Sequence, residues 1–225
     1  MTWVNERRRP GKSPTPSCTG SGPEEKEPMV PPVSTCLSLM EETGMPEHIR
    51  RHSITVEQVA ALIARGHIER DAGLSLELVR AGALLHDIAK AECLVSGEDH
   101  AARGRALCMG WGFEEIAEIV GEHVILQDFQ PNDRVREKEV VYYADKRVEH
   151  DRIVSLDERL EKLIERYGKG ERDLERRMER NFDLCRRVER KLFRVLDFAP
   201  ETLPRLVSGT GSSIEPGPLP GRREE

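Results

Sequence analysis

The sequence predicts an all-α fold, a compact helical bundle with flexible tails at both ends of the chain. Charged residues make up 34% of the 225 residues and aromatic residues only 4%, a composition that favours long helices with solvated faces over a β-sandwich. Apolar residues recur at helical spacing through the middle of the chain, and no strand-like alternation of useful length interrupts them. A chain of this length can hold one good-sized domain with tails.

Apolar spacing and capping residues predict three helices in the first half of the chain. The first begins near Pro46 and ends near Gly66. Its inward face is formed by residues that step along the chain at helical intervals: His52, Val56, Val59 and Ile63. The second helix is mostly apolar and runs over 74–88. Asp99 is the predicted N-cap of a short third helix, which ends near Gly110.

Four further helices are predicted in the second half. The fourth covers 114–126 and the fifth covers 136–151, where Asp145 shares a face with apolar neighbours. Ser155-x-x-Glu158 is a capping-box signature for a sixth helix that closes near Gly168. An apolar stripe marks a long final helix: Leu174, Met178, Cys185, Val188, Leu192 and Val195. We interpret this helix as a packing element with a solvated face, and a surface for a partner or RNA is the alternative.

The ends of the chain and its overall charge narrow the class of protein. Residues 1–35 and 208–225 are rich in Pro, Ser, Gly and charge, and they are predicted to be disordered because they bury too little apolar surface to offset their ordering entropy. The net charge of -6 argues against general nucleic-acid binding. The five cysteines form no Cys-x-x-Cys pair, and no apolar stretch approaches the roughly 20 residues that span a bilayer. We therefore expect a cytoplasmic protein with no membrane partner.

The dipeptide His86-Asp87 is the most informative local feature. It follows the apolar run 78–85, at the point where the second predicted helix is ending. Neighbouring residues on a helix point about 100° apart, so both side chains can reach one metal ion only near a helix end or kink. Burying an ionised carboxylate is costly unless a cation or hydrogen bonds compensate it. The dipeptide therefore predicts either a metal site or an unusual structural pair.

Three other polar residues lie on apolar helix faces. His52 and His123 lie among apolar residues of the first and fourth predicted helices, and Asp145 is aligned with Val141 and Val148. Each one alone is explained by an ordinary role in a core, as a hydrogen-bonded histidine or an ion-paired aspartate. Together with His86-Asp87, several inward imidazoles and two inward carboxylates are hard to satisfy without a cation.

On this helical background, the order of His52, His86-Asp87 and Asp145 resembles the HD-domain metal-dependent phosphohydrolases, and in particular their two-metal HDIG-like branch. The resemblance is carried by the segments HIRRHSITVEQVAALIARG, AGALLHDIAK, DHAARGRALCMGWG, EIVGEHVIL and VVYYADKRVEH. It implies an HD domain over residues 36–154, with the helices of 155–207 packed on that domain.

The resemblance also implies a ligand set. The signature ligands of the first metal are matched by His52, His86, Asp87 and Asp145, and the extra histidines of the two-metal branch by His100 and His123. In that branch the aspartate at the position of Asp87 bridges both ions. Imidazole with carboxylate ligands suits iron or manganese, and the cofactor is one or two divalent ions. The first rival is a one-metal nucleotidase, in which His100 and His123 are structural or bind substrate.

The implied reaction is hydrolysis of a nucleotide or related phosphate ester by a metal-activated hydroxide. Asp87, as the bridge, and Lys90, which would hold phosphate charge, are the predicted catalytic residues. Lys146 and Arg103 are weaker candidates for the same role, for which a solvated surface charge is at least as good an explanation. Glu122 is a candidate for orienting a ligand or moving a proton. The rival from another class is a catalytically weak HD module that binds a nucleotide and regulates a partner.

Overall fold

The computed structural model describes residues 29–70 and 72–209, and the rest of both predicted tails lies outside these residues. The described residues form an all-α bundle, as the sequence predicts. Its α-helices, in chain order, are α1 (Val33–Glu42), α2 (Glu47–Ile68), α3 (Leu76–Leu85), α4 (Lys90–Ser96), α5 (His100–Gly110), α6 (Glu114–Glu122), α7 (Glu137–Lys146), α8 (Leu156–Leu163), α9 (Arg172–Phe193) and α10 (Leu203–Gly209). None of these helices combines the length and the apolar character needed to cross a bilayer.

Two short elements complete the chain between the helices. A hairpin of two antiparallel two-residue strands, β1 (Val148–Glu149) and β2 (Arg152–Ile153), follows α7 and pairs Val148 with Ile153. A π-helical turn, Ile164–Gly168, extends α8, and a 3-10 turn, Pro200–Thr202, precedes α10. The sequence predicts no strand, because two-residue strands are too short to show an alternating pattern.

The central helix α2 packs against α3 and α7, and α9 covers the outer side of α7. Apolar side chains that are fully buried fill the space between them, among them Val59 and Ile63 on α2, Leu84 on α3 and Tyr142 on α7. Burying a side chain of this size contributes roughly 1.5–3 kcal/mol. The core therefore lies around α2, α3 and α7, the helices that carry His52 and Asp145 or end beside His86-Asp87.

Two glycines let neighbouring helices approach closely. A Cβ atom at Gly82 of α3 would lie 2.8 Å from Ile119 Cγ2 on α6, and one at Gly104 of α5 would lie 2.8 Å from Val120 Cγ1. Real Cβ atoms do not tolerate such contacts, so only glycine fits at either position without displacing its neighbours. The two glycines thus bring α3 and α5 against α6, near the ends of these helices where the histidines lie.

The predicted helix caps are confirmed. The Asp99 carboxylate accepts hydrogen bonds from the backbone N–H groups of Ala101 and Ala102 at the start of α5, which ends at Gly110 as predicted. The Ser155 hydroxyl accepts from the Glu158 N–H at the start of α8. Both side chains satisfy N–H groups that have no partner within their own helix.

Three predicted helices are too long. α3 ends at Leu85 rather than residue 88, α6 at Glu122 rather than 126, and α7 at Lys146 rather than 151. At the first two of these ends the next residue is a histidine, and its ring N–H donates to the backbone carbonyl three residues earlier. The side chain thus takes the acceptor that a further helical N–H would otherwise use.

Other boundaries also differ from the prediction. α1 begins at Val33, inside the segment predicted to be disordered, and buries Cys36 and Met40. α2 continues past Gly66 to Ile68, because Gly66 serves close packing: a Cβ there would lie 2.6 Å from Leu196. The short helices α4 and α10 were not predicted as separate elements. The proposed division at residue 154 stays a prediction, with α8 and α9 packed on each other and α9 on α7.

Candidate metal centre

Five helices direct polar side chains toward one cluster, which we call the His–Asp centre. It contains the six predicted ligands: His52 from α2, His86 and Asp87 from the turn after α3, His100 from the first turn of α5, His123 from the end of α6 and Asp145 from α7. Neighbouring members approach to hydrogen-bond distance, such as His52 Nε2 and Asp145 Oδ1 at 3.1 Å. The structure therefore brings all six side chains together from distant parts of the sequence.

The carboxylate of Asp87 lies between two pairs of histidines. Its Oδ2 atom is 3.4 Å from Nε2 of His86 and 3.8 Å from Nε2 of His52. Its Oδ1 atom is 3.4 Å from Nε2 of His100 and 3.5 Å from Nε2 of His123. Each oxygen thus faces a separate pair of imidazole nitrogens, and Asp87 is shared by both.

Asp145 distinguishes the two pairs. Its Oδ1 atom lies 3.1 Å from His52 Nε2 and 3.6 Å from His86 Nε2, while its Oδ2 atom accepts a hydrogen bond from Lys146 at 3.0 Å. The pair of His52 and His86 is therefore flanked by two carboxylates, and the pair of His100 and His123 by Asp87 alone.

Main-chain carbonyls fix the orientation of three imidazoles. Nδ1 of His52 lies 2.9 Å from the carbonyl oxygen of His150. Nδ1 of His86 lies 2.7 Å from the carbonyl oxygen of Ala83, and Nδ1 of His123 lies 2.6 Å from that of Val120. A carbonyl only accepts, so Nδ1 of each ring carries a proton and Nε2 faces the centre. Metal-binding histidines are oriented by such bonds.

One of these carbonyls comes from a residue in an unusual conformation. His150, in the turn of the β1–β2 hairpin, has a φ of 57°, in the left-handed region that residues other than glycine seldom adopt. Its imidazole is largely exposed and lies 3.4 Å from Glu149. The sequence analysis gives His150 no role, and its backbone rather than its side chain contacts the centre.

Two buried atoms of the centre lack hydrogen-bond partners: Nε2 of His86 and Oδ1 of Asp87. Buried polar atoms without partners are rare in folded proteins, and a cation would satisfy both. Among the described residues, two groups have donor atoms close enough to share an ion, His52 with His86 and Asp87, and Asp87 with His100 and His123. The donor set of imidazole nitrogen and carboxylate oxygen fits a divalent metal such as iron or manganese.

The protonation states also favour a cation. Burial lowers the pKa of His123 to about 4, so its ring is neutral. Burial also opposes a charge on His86, but the carboxylates of Asp87 and Asp145 outweigh it and raise the pKa of His86 to about 9. Burial would raise the pKa of Asp87 and Asp145, yet neighbouring His86, Lys90 and Lys146 hold both well below the usual value. The centre thus contains two ionised carboxylates that favour bound positive charge, and in the metal-free protein protonated His86, Lys90 and Lys146 supply that charge.

Both lysines of interest contact the carboxylates. Lys90 Nζ lies 2.7 Å from Asp87 Oδ2, and its side chain is one-third exposed. Lys146 is buried, and its Nζ donates to the carbonyl of His123 and to Asp145 while lying 4.5 Å from the centroid of the Tyr142 ring. The interpretation of Lys146 as a solvated surface charge is therefore wrong.

The two remaining candidates form other contacts. Arg103 is exposed and pairs with Glu92 at 3.0 Å, which agrees with its interpretation as a surface charge. Glu122 pairs with Lys138 at 2.9 Å and accepts from the backbone N–H of Gln127. Both side chains thus form their ion pairs with residues outside the His–Asp centre.

One basic residue near the centre was missed by the sequence analysis. Arg159 of α8 contacts Glu149, its side chain is only 13% exposed, and its buried Nε atom has no hydrogen-bond partner. In the sequence it is one of three basic residues on the predicted sixth helix, with Lys162 and Arg166. No local signal distinguishes it, because its position depends on how α8 packs beside the hairpin.

The fold and the site define an all-α protein with a buried cluster of histidines and aspartates suited to divalent metal. Residues 49–149, less than half of the chain, match the family model of the HD domain, so this part of the chain is an HD domain. The HD superfamily is one of metal-dependent phosphohydrolases. The match ends before α8, so Arg159 lies outside it.

Two relatives with curated sequences resemble the chain. A tRNA (cytidine(56)-2'-O)-methyltransferase of Thermoplasma volcanium is 30% identical over 101 residues, which cover 44% of this chain and 28% of that protein. The chain therefore spans less than a third of that relative. An uncharacterised protein of Methanocaldococcus jannaschii is 28% identical over 143 residues, which cover 58% of this chain and 83% of that protein. No solved structure gives a significant match.

Proposed function

We propose that the chain is a cytoplasmic metal-dependent phosphohydrolase of the two-metal branch, and that it acts on a nucleotide or a related phosphate ester. The single observation that carries this proposal is the position of Asp87. Its two carboxylate oxygens face different histidine pairs, at 3.4 Å from His86 and 3.4 Å from His100. A carboxylate shared in this way is what a bridged pair of ions requires.

The residues divide into two ligand sets. The first ion would be held by His52, His86, Asp87 and Asp145, and the second by Asp87, His100 and His123. Two divalent ions supply Lewis acidity at phosphoryl oxygens and lower the pKa of water toward neutrality. The one-ion alternative keeps the first set and leaves His100 and His123 for structure or substrate.

Residues of the chain orient the proposed metal ligands and determine the side from which substrate would approach. The carbonyls of Ala83, Val120 and His150 hold three imidazoles with Nε2 toward Asp87, so little reorganisation accompanies binding. Lys90 and His100, whose side chains are 33% and 28% exposed, are the most open groups around Asp87. Substrate would approach from their side, and the Lys90 ammonium would contact a phosphate oxygen.

A metal-reconstituted screen tests the proposal. Purified full chain, loaded with manganese or iron, is assayed against nucleoside mono-, di- and polyphosphates, with elemental analysis of the same sample. We expect hydrolysis that depends on metal and a content of about two ions per chain. A content of about one ion favours the one-metal nucleotidase. Tight nucleotide binding without hydrolysis of any substrate favours the regulatory module and overturns the enzyme.

The relatives add no second activity. The matched region of the methyltransferase is 28% of that protein, and we propose no methyl transfer for this chain. The match covers 83% of the uncharacterised relative, and the name of that protein states no activity. The proposal rests on the His–Asp centre and on the HD family.

A further inference from the structure

Two arginines share one carboxylate beside the His–Asp centre. Glu149 of β1 contacts Arg159 through Oε2, and its Oε1 lies 3.0 Å from Nη2 of Arg166. Arg159 has a side-chain exposure of 13% and Arg166 of 45%. One carboxylate balances only one of two guanidinium groups, so this group of three carries a surplus positive charge. We call Arg159 and Arg166 the arginine pair.

The hairpin connects this group to the centre. Glu149 is followed by His150, whose carbonyl accepts the hydrogen bond from His52. Arg166 Nη2 also lies 3.3 Å from His150 Nε2. Glu149, which both arginines contact, thus directly precedes the residue whose carbonyl orients the proposed ligand His52.

The charges of the centre act on Arg159 directly. Burial lowers the pKa of Arg159, while the carboxylates of Asp145 and Asp87 favour its charged form. Arg159 in turn opposes the charged form of Lys90, the partly exposed lysine beside Asp87. Burial also lowers the pKa of Lys90, but the attraction of Asp87 outweighs both effects, and the pKa is raised. Arg159 therefore lies within electrostatic range of the open side of the centre.

Arg159 also retains a free donor. Its Nε atom is buried and has no hydrogen-bond partner. Leaving such a group unpaired destabilises the folded protein, and more so when the group is charged. Glu149 contacts Arg159 through Nη1, so the edge of the guanidinium that carries Nε is the one left for a phosphate, to which arginine donates two parallel hydrogen bonds. The unpaired donor and the surplus charge both point to an anionic ligand.

We propose that Arg159, assisted by Arg166, binds a phosphate group of the substrate, so that helices beyond the HD-domain match complete the substrate site. This inference rests on the proposed function and deepens it. It makes Arg159 a substrate-binding residue that α8 supplies, and it assigns the region after residue 154 a role in function as well as in packing.

The test uses inorganic phosphate as the probe and the full metal-loaded chain. Calorimetric titration compares wild type, Arg159→Gln and a control, Arg176→Gln, which removes an exposed arginine that only faces Asp173 at 3.7 Å. We expect Arg159→Gln to weaken phosphate binding about tenfold or more, the loss typical of a charged hydrogen bond. Metal content and thermal midpoint should match wild type, and the control should bind phosphate normally.

Equal phosphate affinity in wild type and Arg159→Gln would overturn the assignment. So would absence of phosphate binding to wild type, or loss of metal in the variant, since the arginine would then act on the centre itself. Arg159→Lys provides a milder second variant: it keeps the charge without the planar fork, and we expect intermediate affinity.

Glu149→Gln separates ligand binding from simple ion pairing. Removing the competing carboxylate should leave phosphate affinity unchanged or tighten it, whereas a purely structural pair predicts that Glu149→Gln and Arg159→Gln weaken binding alike.

The phosphate titration is independent of turnover. A chain that binds phosphate through Arg159 but hydrolyses no ester contradicts the proposed function alone, and a chain that hydrolyses esters with phosphate binding indifferent to Arg159 contradicts this inference alone.

Discussion

The imidazoles of His86 and His123 meet edge to face, with ring centroids 5.0 Å apart and planes at 71°. Each histidine is the C-cap of its helix, and each Nδ1–H donates to the carbonyl three residues earlier. The same local bond thus ends α3 and α6 and presents both Nε2 atoms to opposite oxygens of Asp87. At these two positions, the hydrogen bond that ends the helix is also the one that orients the proposed ligand.

Asp87→Ala should remove bound metal and abolish hydrolysis, because it deletes the carboxylate that lies between both histidine pairs. The variant loses one buried charge and its desolvation cost, so we expect the helical fold to survive. Elemental analysis and circular dichroism of the same sample measure both outcomes. Normal metal content in a folded variant would contradict the bridging role.

His123→Ala should lower the metal content from about two ions per chain to about one, because only the second set loses a donor. The matched control is His48→Ala, since His48 is exposed on α2, one turn before His52. Metal titration followed by elemental analysis distinguishes them. If His123→Ala and His48→Ala retain the same stoichiometry as wild type, His123 is no ligand.

Lys146→Met should destabilise the chain and weaken metal binding. Lys146 is buried and donates to the His123 carbonyl and to Asp145, so its removal leaves both acceptors short of a partner at a cost of about 1–3 kcal/mol. Loss of a group that orients ligands lowers metal affinity roughly 10–100-fold. Chemical unfolding and a competition assay with a chelator measure these effects, and Lys162→Met, at an exposed position of α8, should change neither.

Gly82→Ala should force α3 away from α6, since the added Cβ would lie 2.8 Å from Ile119. We expect a loss of about 1–3 kcal/mol in the free energy of unfolding and weaker metal binding, because His86 and His123 end these helices. Gly110→Ala is the control, as a Cβ there meets nothing within 4 Å. Equal stability of the two variants would show that the close approach is unimportant.

Metal binding should release a proton from His86. Its pKa is raised to about 9 by Asp87 and Asp145 against the opposing effect of burial, so the metal-free ring is charged below pH 9 and must lose its proton to coordinate. Metal affinity should therefore fall as the pH drops below 9. Calorimetry in buffers of different ionisation enthalpy counts the released protons, and no dependence on the buffer at pH 7 would contradict the shift.

The sequence predicts the parts of this structure that depend on local chemistry. Asp99 and Ser155 cap their helices because a short acceptor side chain is available at the right offset. A cation beside His86-Asp87 could be proposed because the dipeptide follows a buried run, and a carboxylate there needs compensation, whereas the ligand roles came from the resemblance. The resemblance added His100, whose own helix carries no apolar face that marks it as inward.

The rest depends on contacts between distant segments. From the sequence alone, a surface charge is a good explanation of Lys146, because its contact with the His123 carbonyl joins segments that are distant in the sequence. The role of the His150 carbonyl depends on a left-handed turn in a hairpin whose strands are too short to predict. Arg159 stands out only when α8 is packed beside that hairpin, since neither periodicity nor motif marks it among its neighbours.

Anomalous diffraction from crystals of the manganese-reconstituted chain tests the central claim most directly. The account predicts two manganese peaks flanking the Asp87 carboxylate, one beside His52, His86 and Asp145 and the other beside His100 and His123. Peaks absent from both sides of Asp87 in fully loaded protein, or manganese bound elsewhere in the chain, would contradict it.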